Sequence, residues 1–282
     1  MPEPAVAAGY EFKVKRLIKL TVSLCVRGFD LVLAGLLRMI GRTPPPVCVV
    51  LYYHAVTSKG RERFARQMDE LARMTEPIPC DHTEVLVPGR HYSAVTFDDG
   101  FVSVLGNALP ALEARRIPAT LFIPTGCLGQ RPLWIQNPEA SDYHEKVIAG
   151  EVLAQFRNHA HVSIGSHSVS HPNFVRLDEK QTQSELCESK QELERLLGHE
   201  ISMFSFPHGA HNLRTIELAR QSGYRRVFTI EPELAFRRGD ELVAGRVATD
   251  PGDWLIEFRL KLLGAYRWMA FAHRRGRMSP SI

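Results

Sequence analysis

Two pairs of residues in this 282-residue chain have the types and spacing needed for metal chemistry. An apolar, strand-like segment ending at Phe97 is followed directly by Asp98 and Asp99, and a second such segment is followed by His167 and His171. In parallel α/β folds, catalytic groups lie where strands end and loops begin. Two imidazoles and one carboxylate from different strand ends form an N,N,O ligand set, which is typical of catalytic Zn²⁺ or a similar divalent ion.

The adjacent carboxylates allow a division of roles. One acid can bind the metal while its neighbour, held beside a water molecule, acts as general base. Neither pair is decisive alone, because Asp-Asp-Gly is more often a turn than a site, and His pairs four apart arise by chance in a chain with twelve histidines. Their combination predicts metal-assisted hydrolysis.

A third segment, "FSFPHGAHN" at 204–212, places a tight turn after two alternating phenylalanines. Such a turn can aim a backbone N–H at an oxyanion. A plain loop is the commoner outcome for a stretch of this kind considered by itself.

The elements that must position these residues alternate between strands and helices. Strands are predicted at 47–54, 93–97, 119–123, 161–165, 201–206 and 225–229, and helices at 62–74, 103–115, 141–158, 178–198 and 212–222. Strands separated by helices imply parallel βα units. Six or seven such units suit a barrel better than a small open sheet.

Residues 12–40 predict an amphipathic helix. At about 100° per residue, the charged positions fall within roughly 140° of arc, and the remaining arc is almost wholly apolar. The uncharged runs are too short for a plain spanning helix, and Arg27 and Asp30 argue against a signal peptide. We therefore expect a helix in a membrane interface with its cations toward the headgroups. The alternative is a helix packed on the domain's own core.

The charge is concentrated at the two ends of the chain. Residues 1–42 carry a net charge of +4, and residues 259–282 carry six Lys or Arg and no acid. Because the whole chain sums to +4, residues 43–258 carry −6. Basic ends suit an anionic membrane surface, whereas the acidic body would repel nucleic acid. Five cysteines without a CxxC pair indicate reduced thiols. We therefore expect a cytoplasmic protein, peripheral at the inner membrane, without excluding export.

The motifs "TFDDG", "HSVSH" and "FSFPHG", in this order, resemble the polysaccharide deacetylase family, also described as the NodB-homology domain or carbohydrate esterase family 4. The resemblance covers about residues 47–250. It implies a distorted (β/α)7 barrel and metal-dependent hydrolysis of an N-acetyl or similar amide on a sugar. It also implies that the metal is Zn²⁺, with Co²⁺ or Ni²⁺ as alternatives.

The resemblance assigns a role to each matching position. Asp98 corresponds to the catalytic base. The metal ligands correspond to Asp99, His167 and His171. The family's groove-wall motif corresponds to Phe206, Pro207, His208 and Gly209, where the residue matching His208 offers its backbone N–H to the oxyanion.

Three departures from the family pattern stand out. Ser205 occupies the place of an Arg that braces the catalytic Asp; we hypothesise that Arg246 supplies this charge. The late Leu-x-His motif, which carries the general acid, is absent, and His273 is a poor candidate. Some members, such as poly-N-acetylglucosamine deacetylases, carry this motif on the first strand, and "LYYH" fits them. His54 is therefore the predicted general acid, the alternative being a strand cap. Asp250 stays unassigned.

We predict a basic helix and Pro-rich linker at 1–45, an α/β catalytic domain at 46–255 and a basic tail at 256–282. The predicted substrate is an N-acylated amino sugar in a polysaccharide or a lipid-linked glycan, as in exopolysaccharide assembly. The competing hypothesis is a non-catalytic, membrane-associated glycan-binding or scaffold protein on the same fold. Trp134, on a predicted insertion, is either a sugar-stacking surface or a core residue.

Overall fold

The computed structural model describes residues 4–271, with side chains from residue 14 onward. The helices are α1 (Pro4–Met39), α2 (Arg61–Met74), α3 (Val102–Asn107), α4 (Leu109–Glu113), α5 (Gly150–Leu153), α6 (Glu179–Leu197), α7 (Leu213–Gln221) and α8 (Leu255–Leu262). The strands are β1 (Val47–Tyr53), β2 (Glu76–Pro77), β3 (His91–Phe97), β4 (Ala119–Ile123), β5 (Val162–Ser166), β6 (Met203–Ser205), β7 (Arg226–Phe228), β8 (Val243–Ala244) and β9 (Val247–Ala248).

All strand pairings among the described residues are parallel, in the order β8-β7-β6-β5-β4-β3-β1-β9, and β2 adds to β3. The two ends of this order, β8 and β9, are separated along the chain only by Gly245 and Arg246. The segment 243–248 therefore pairs first with β7 and then with β1, and it closes the ring. The ring thus has six strands, β1 and β3–β7, and a seventh that is divided into β8 and β9. This arrangement confirms the predicted distorted (β/α)7 barrel.

Alternating side chains of the strands build two cores. On β1, Val49 and Leu51 belong to a large cluster between the strands and the helices, whereas Cys48 and Val50 belong to a smaller cluster inside the ring. Because successive side chains of a strand point to opposite faces, both faces of these strands are buried. Asp98 directly follows Phe97 at the end of β3, and its side chain points into the ring. The fold therefore places this carboxylate at the mouth of the ring.

Two helix predictions need correction. The helix predicted at 103–115 is broken into α3 and α4 near Ala108, with Pro110 in the first turn of α4. The helix predicted at 141–158 is wrong: turns lead to the four-residue α5. Val147 is instead extended, and it bridges to Phe101 and to Leu128. Tertiary pairing of this buried backbone overrides the local helical preference.

The α1 helix lies against the domain through its polar side. Arg16 makes an ion pair with Glu257, and the Trp268 indole donates a hydrogen bond to the buried Ser23 hydroxyl at 3.0 Å. The expected orientation, with cations toward the headgroups, is therefore wrong for Arg16. Leu20 and Val26 of α1 pack against the large core, whereas the outer apolar residues of the helix, such as Phe29 and Val32, are exposed. Residues Val14–Met39 also satisfy the length and composition of a membrane span. Run lengths thus did not exclude a span, and a signal sequence meets the same criteria.

The predicted boundary at residue 255 is not a structural boundary. Phe258, Leu260 and Leu262 of α8 are buried in the large core, as is Ala265 after it. Residues 256–271 are therefore part of the domain. The rest of the predicted basic tail, including His273, lies outside the described residues.

Candidate active site at the strand ends

The carboxyl ends of the strands open into one cleft of about 640 Å³. Its walls include most of the residues singled out in the sequence: His54, Asp98, Asp99, His167, His171, Phe206, His208 and Gly209. Pro207 is buried in the wall beside them. The fold thus brings together residues from four strand ends, as expected for a parallel barrel.

Three side chains converge at the bottom of the cleft. The donor atoms of Asp99, His167 and His171 all lie within 4.8 Å of one another. The Asp99 Oδ1 is 3.1 Å from Nε2 of His171 and 3.5 Å from Nε2 of His167. This Oδ1 is buried and makes no hydrogen bond among the described residues. An unpaired, buried carboxylate oxygen is costly, so the three donors fit a bound cation.

The backbone fixes the tautomer of His167. Its Nδ1 lies 2.8 Å from the carbonyl oxygen of Ser205. A carbonyl oxygen can only accept, so Nδ1 donates, and the Nε2 lone pair is left facing Asp99. Burial lowers the pKa of His167 to about 4, against the opposing charge of Asp98. The ring is therefore neutral near pH 7, which is the form that binds a metal ion.

All three motifs of the site contain residues in an unusual backbone conformation. Positive φ angles occur at Asp99 (67°), Ser168 (70°), His171 (58°) and His208 (56°). For residues other than glycine this region is sparsely populated, and such strain clusters at functional sites. Four of the six such residues in the described chain thus belong to the site's three motifs.

Glu185 on α6 supports this loop from below. Its Oε2 accepts hydrogen bonds from the amides of Val169 (2.8 Å) and Ser170 (2.9 Å), which lie between the two imidazoles. On the other side, the Trp134 ring stacks on His171 with centroids 4.1 Å apart. Sequence reasoning missed Glu185 altogether, because no local signal links a helix residue to a loop sixteen positions earlier. For Trp134, it offered a sugar-stacking surface or a core position; the residue lines the cleft and packs against the core, and only its contact with His171 was not anticipated.

Asp98 is braced by a buried arginine. The Arg246 Nη1 and Nη2 donate to Asp98 Oδ1 and Oδ2, both at 2.7 Å, and Nη2 also donates to the Ser205 hydroxyl at 2.7 Å. Arg246 is fully buried. The hypothesis that Arg246 supplies the charge missing at Ser205 is confirmed. Its position at the closure of the ring, between β8 and β9, directs it inward.

The same contacts set the charge of Asp98. Burial alone would raise the pKa of this carboxyl group, but the positive charge of Arg246, followed by His167, brings the pKa below its ordinary value. Asp98 is therefore ionised at neutral pH. A carboxylate beside the three converging donors is in a position to accept a proton.

The remaining predicted residues form the cleft's rim. His54 follows β1, is exposed, and contacts the Tyr52 ring edge-on at 5.7 Å. His208 lies in the turn Pro207–Gly209, with its ring 4.5 Å from that of His171. Both imidazoles thus border the space above the cluster, with His54 on the opposite element of the ring.

Comparisons with known proteins agree with this geometry. A family model described as polysaccharide deacetylase matches residues 87–227, half of the chain. YxkH of Bacillus subtilis (strain 168), whose name places it among polysaccharide deacetylases, is 27% identical over 165 residues. That match covers 58% of this chain and 54% of YxkH, so the chain spans about half the length of this relative.

Solved structures share the architecture. IcaB from Ammonifex degensii is 25% identical, with a TM-score of 0.65 over 79% of this chain and 98% of its own. The Streptococcus pyogenes deacetylase PplD, solved in complex with acetate, is 18% identical, with a TM-score of 0.60 over 74% of this chain and 94% of its own. The second likeness concerns the fold alone.

Proposed function

The chain belongs to the polysaccharide deacetylase family, hydrolases of carbon–nitrogen bonds other than peptide bonds, and on that premise we propose that it removes an N-acetyl or similar acyl group from an amino sugar within a glycan. One observation carries the proposal: Asp99, His167 and His171 converge, and an ionised Asp98 lies beside them. The cluster supplies the ligands, and Asp98 supplies the proton acceptor.

The ligand set points to the ion and to its contribution. Two imidazole nitrogens and a carboxylate oxygen suit Zn²⁺, with Co²⁺ or Ni²⁺ as alternatives. When bound, such an ion supplies Lewis-acid polarisation of the amide carbonyl and lowers the pKa of water. His167 is held for this task by the Ser205 carbonyl, and His171 by Trp134.

The chain's own groups perform the proton transfers. Asp98, kept ionised by Arg246, takes a proton from the attacking water as general base. His54, on the opposite rim of the cleft, protonates the leaving amine as general acid. The backbone N–H of His208, presented by the strained turn at 206–209, stabilises the developing oxyanion.

For the substrate, we propose an N-acylated amino sugar in an exopolysaccharide or in a lipid-linked glycan. The open cleft of about 640 Å³ is large enough for more than one sugar ring. We further propose that the protein works in the cytoplasm at the inner membrane. Five free cysteines and the basic N-terminal segment support this location.

The test is a screen of acetylated and formylated amino sugars, free and lipid-linked, with Zn²⁺, Co²⁺ or Ni²⁺ added. Release of acetate or formate is the expected result. Asp98→Asn should keep the metal, measured by elemental analysis, and lose hydrolysis by a factor of about 10² to 10⁴. An Asp98→Asn protein with full activity would remove Asp98 from the role of base.

The competing function, a non-catalytic glycan-binding scaffold, rested on two departures from the family pattern. Arg246 removes the first, because it restores the charge missing at Ser205. The second departure is the absent Leu-x-His motif, and we propose that His54 at the cleft takes the place of its general acid. Saccharide binding by a metal-free, inactive protein would favour the scaffold.

A further inference from the structure

The outer face of α1 is apolar, and within the described residues no part of the domain covers it. Phe29, Val32, Leu36 and Met39 are 66%, 63%, 54% and 81% exposed. At about 100° per residue, these side chains fall on the side of the helix opposite its charged positions. Soluble monomers rarely expose a continuous apolar surface of this extent.

The polar face is fastened to the domain at two distant points. Near one end, Arg16 pairs with Glu257 at 2.5 Å; near the other, Asp30 pairs with Arg267 at 2.5 Å. These two helix positions are about 21 Å apart along the axis. The buried Ser23, bonded to Trp268, lies between them. The helix is therefore held flat along the domain over four turns.

This attachment constrains how α1 could meet a bilayer. A spanning helix would have to break both ion pairs or draw Glu257 and Arg267 into hydrocarbon, and charged groups there are strongly disfavoured. A helix lying in the plane of the interface keeps both pairs and buries only its outer face.

Charge and composition favour a bilayer as the occupant of this face. The cations Lys19 and Arg38 are exposed on the charged side of α1, from which their long side chains can reach anionic headgroups beside an interfacial helix. Beside Arg16, Trp254 of the domain is 43% exposed, and Trp is enriched at membrane interfaces. Residues Val14–Met39 also have the hydropathy of a membrane segment.

We propose that α1 docks the catalytic domain on an anionic lipid bilayer, lying in the membrane plane with its apolar face inserted and its polar face fixed to the domain. This goes beyond the proposed function, since it names a lipid partner and an orientation. A cavity of about 510 Å³ lined by Lys19 shares Tyr52 and Ile230 with the catalytic cleft.

The first experiment measures co-flotation of the full chain with phosphatidylglycerol vesicles. Val32→Glu combined with Leu36→Glu should reduce binding at least tenfold. Leu213→Glu is the matched control, because Leu213 is 87% exposed on α7 and distant in sequence from α1; it should bind normally. Circular dichroism checks that each variant is folded. Vesicle binding unchanged by the α1 substitutions would overturn the proposal.

A second experiment separates lying in the plane from spanning. Asp30→Cys and Arg267→Cys are joined by a short bis-maleimide, after the accessible Cys25 and Cys187 are changed to Ser. Crosslinked protein should bind vesicles as well as uncrosslinked protein. Loss of binding on crosslinking would show that α1 must leave the domain and would overturn the docked orientation.

The remaining occupant is a second copy of the chain. Sedimentation without lipid should give a detergent-dependent, heterogeneous association rather than a defined dimer. A stable dimer that Val32→Glu dissociates, together with no vesicle binding, would replace the bilayer by a second copy. Reversing Lys19 or Arg38 to Glu should weaken binding to anionic vesicles about fivefold for each cation removed.

Discussion

The strand-end cleft and the outer face of α1 depart from the usual distribution of polar and apolar groups in opposite directions. In the cleft, Asp98 and Asp99 are each 4% exposed and Arg246 is fully buried. On α1, Phe29 and Val32 are about two-thirds exposed. Both arrangements cost free energy unless something offsets them.

The two regions differ in where the compensation comes from. In the cleft, most of it is internal, because Arg246 neutralises Asp98 through two hydrogen bonds. The Asp99 Oδ1 makes no hydrogen bond among the described residues, so its compensation is left to a cation. On α1 the described domain supplies nothing, so the compensation must come from outside. A catalytic centre can thus be built almost entirely by the fold, whereas a docking surface is incomplete by design.

The largest effect should follow from removing the metal ion, which the cleft must obtain from outside the chain. Chelation, or Asp99→Ala, should lower deacetylation about a thousandfold or more, because the Lewis acid is lost. Added Zn²⁺ should stabilise the native chain by about 2.7 kcal/mol at a hundred times its Kd, as measured by thermal unfolding. It should not stabilise Asp99→Ala. Equal stabilisation of both proteins would locate the metal elsewhere.

The second-largest effect should follow from replacing Arg246, whose charge compensates that of Asp98 within the fold. Arg246→Met should destabilise the fold by about 3–5 kcal/mol in urea unfolding, since one partner of a buried pair is removed. Burial would then raise the pKa of Asp98 without opposition from Arg246. As the pH is lowered, the Arg246→Met variant should consequently lose activity at a higher pH than the unaltered protein does. Asp98→Asn with Arg246→Met should be less destabilised than the sum of the single variants.

A smaller effect tests the support of the metal ligands. Glu185→Gln should weaken metal binding about tenfold to a hundredfold, because the loop between His167 and His171 loses a charged acceptor. Competition with a chelator measures the affinity. Glu188→Gln, on the same helix but bonded to Ser184, is the control and should bind metal normally. Equal affinities for the two variants would make Glu185 dispensable.

The smallest effect should show that the two regions are independent. Val32→Glu with Leu36→Glu should change kcat/KM on a soluble acetylated oligosaccharide by no more than about twofold, since exposed substitutions rarely alter the fold. The same variant should lose activity on vesicle-bound substrate. A large loss on the soluble substrate would mean that α1 also shapes the cleft.

The sequence was most informative where chemistry is local. Adjacent acids and paired histidines after apolar strands predicted a common site, because parallel strands deliver their carboxyl ends to one edge. The brace was harder to predict, because 148 positions separate Asp98 and Arg246 and only ring closure brings them together. The pattern of α1 distinguished an apolar from a charged face, but it did not predict the ion pairs of the charged face with Glu257 and Arg267, since periodicity does not say what a face contacts.

The closing strand has a consequence for the order of assembly. Arg246 is among the last residues of the barrel to leave the ribosome, so until 243–248 docks between β7 and β1 the Asp98 carboxylate lacks its arginine partner. Burial of Asp98 without this arginine would drive its carboxyl group toward the neutral, non-basic form. Closure of the ring and formation of the ionised general base are therefore a single event. A nascent or frayed barrel lacks a functional general base.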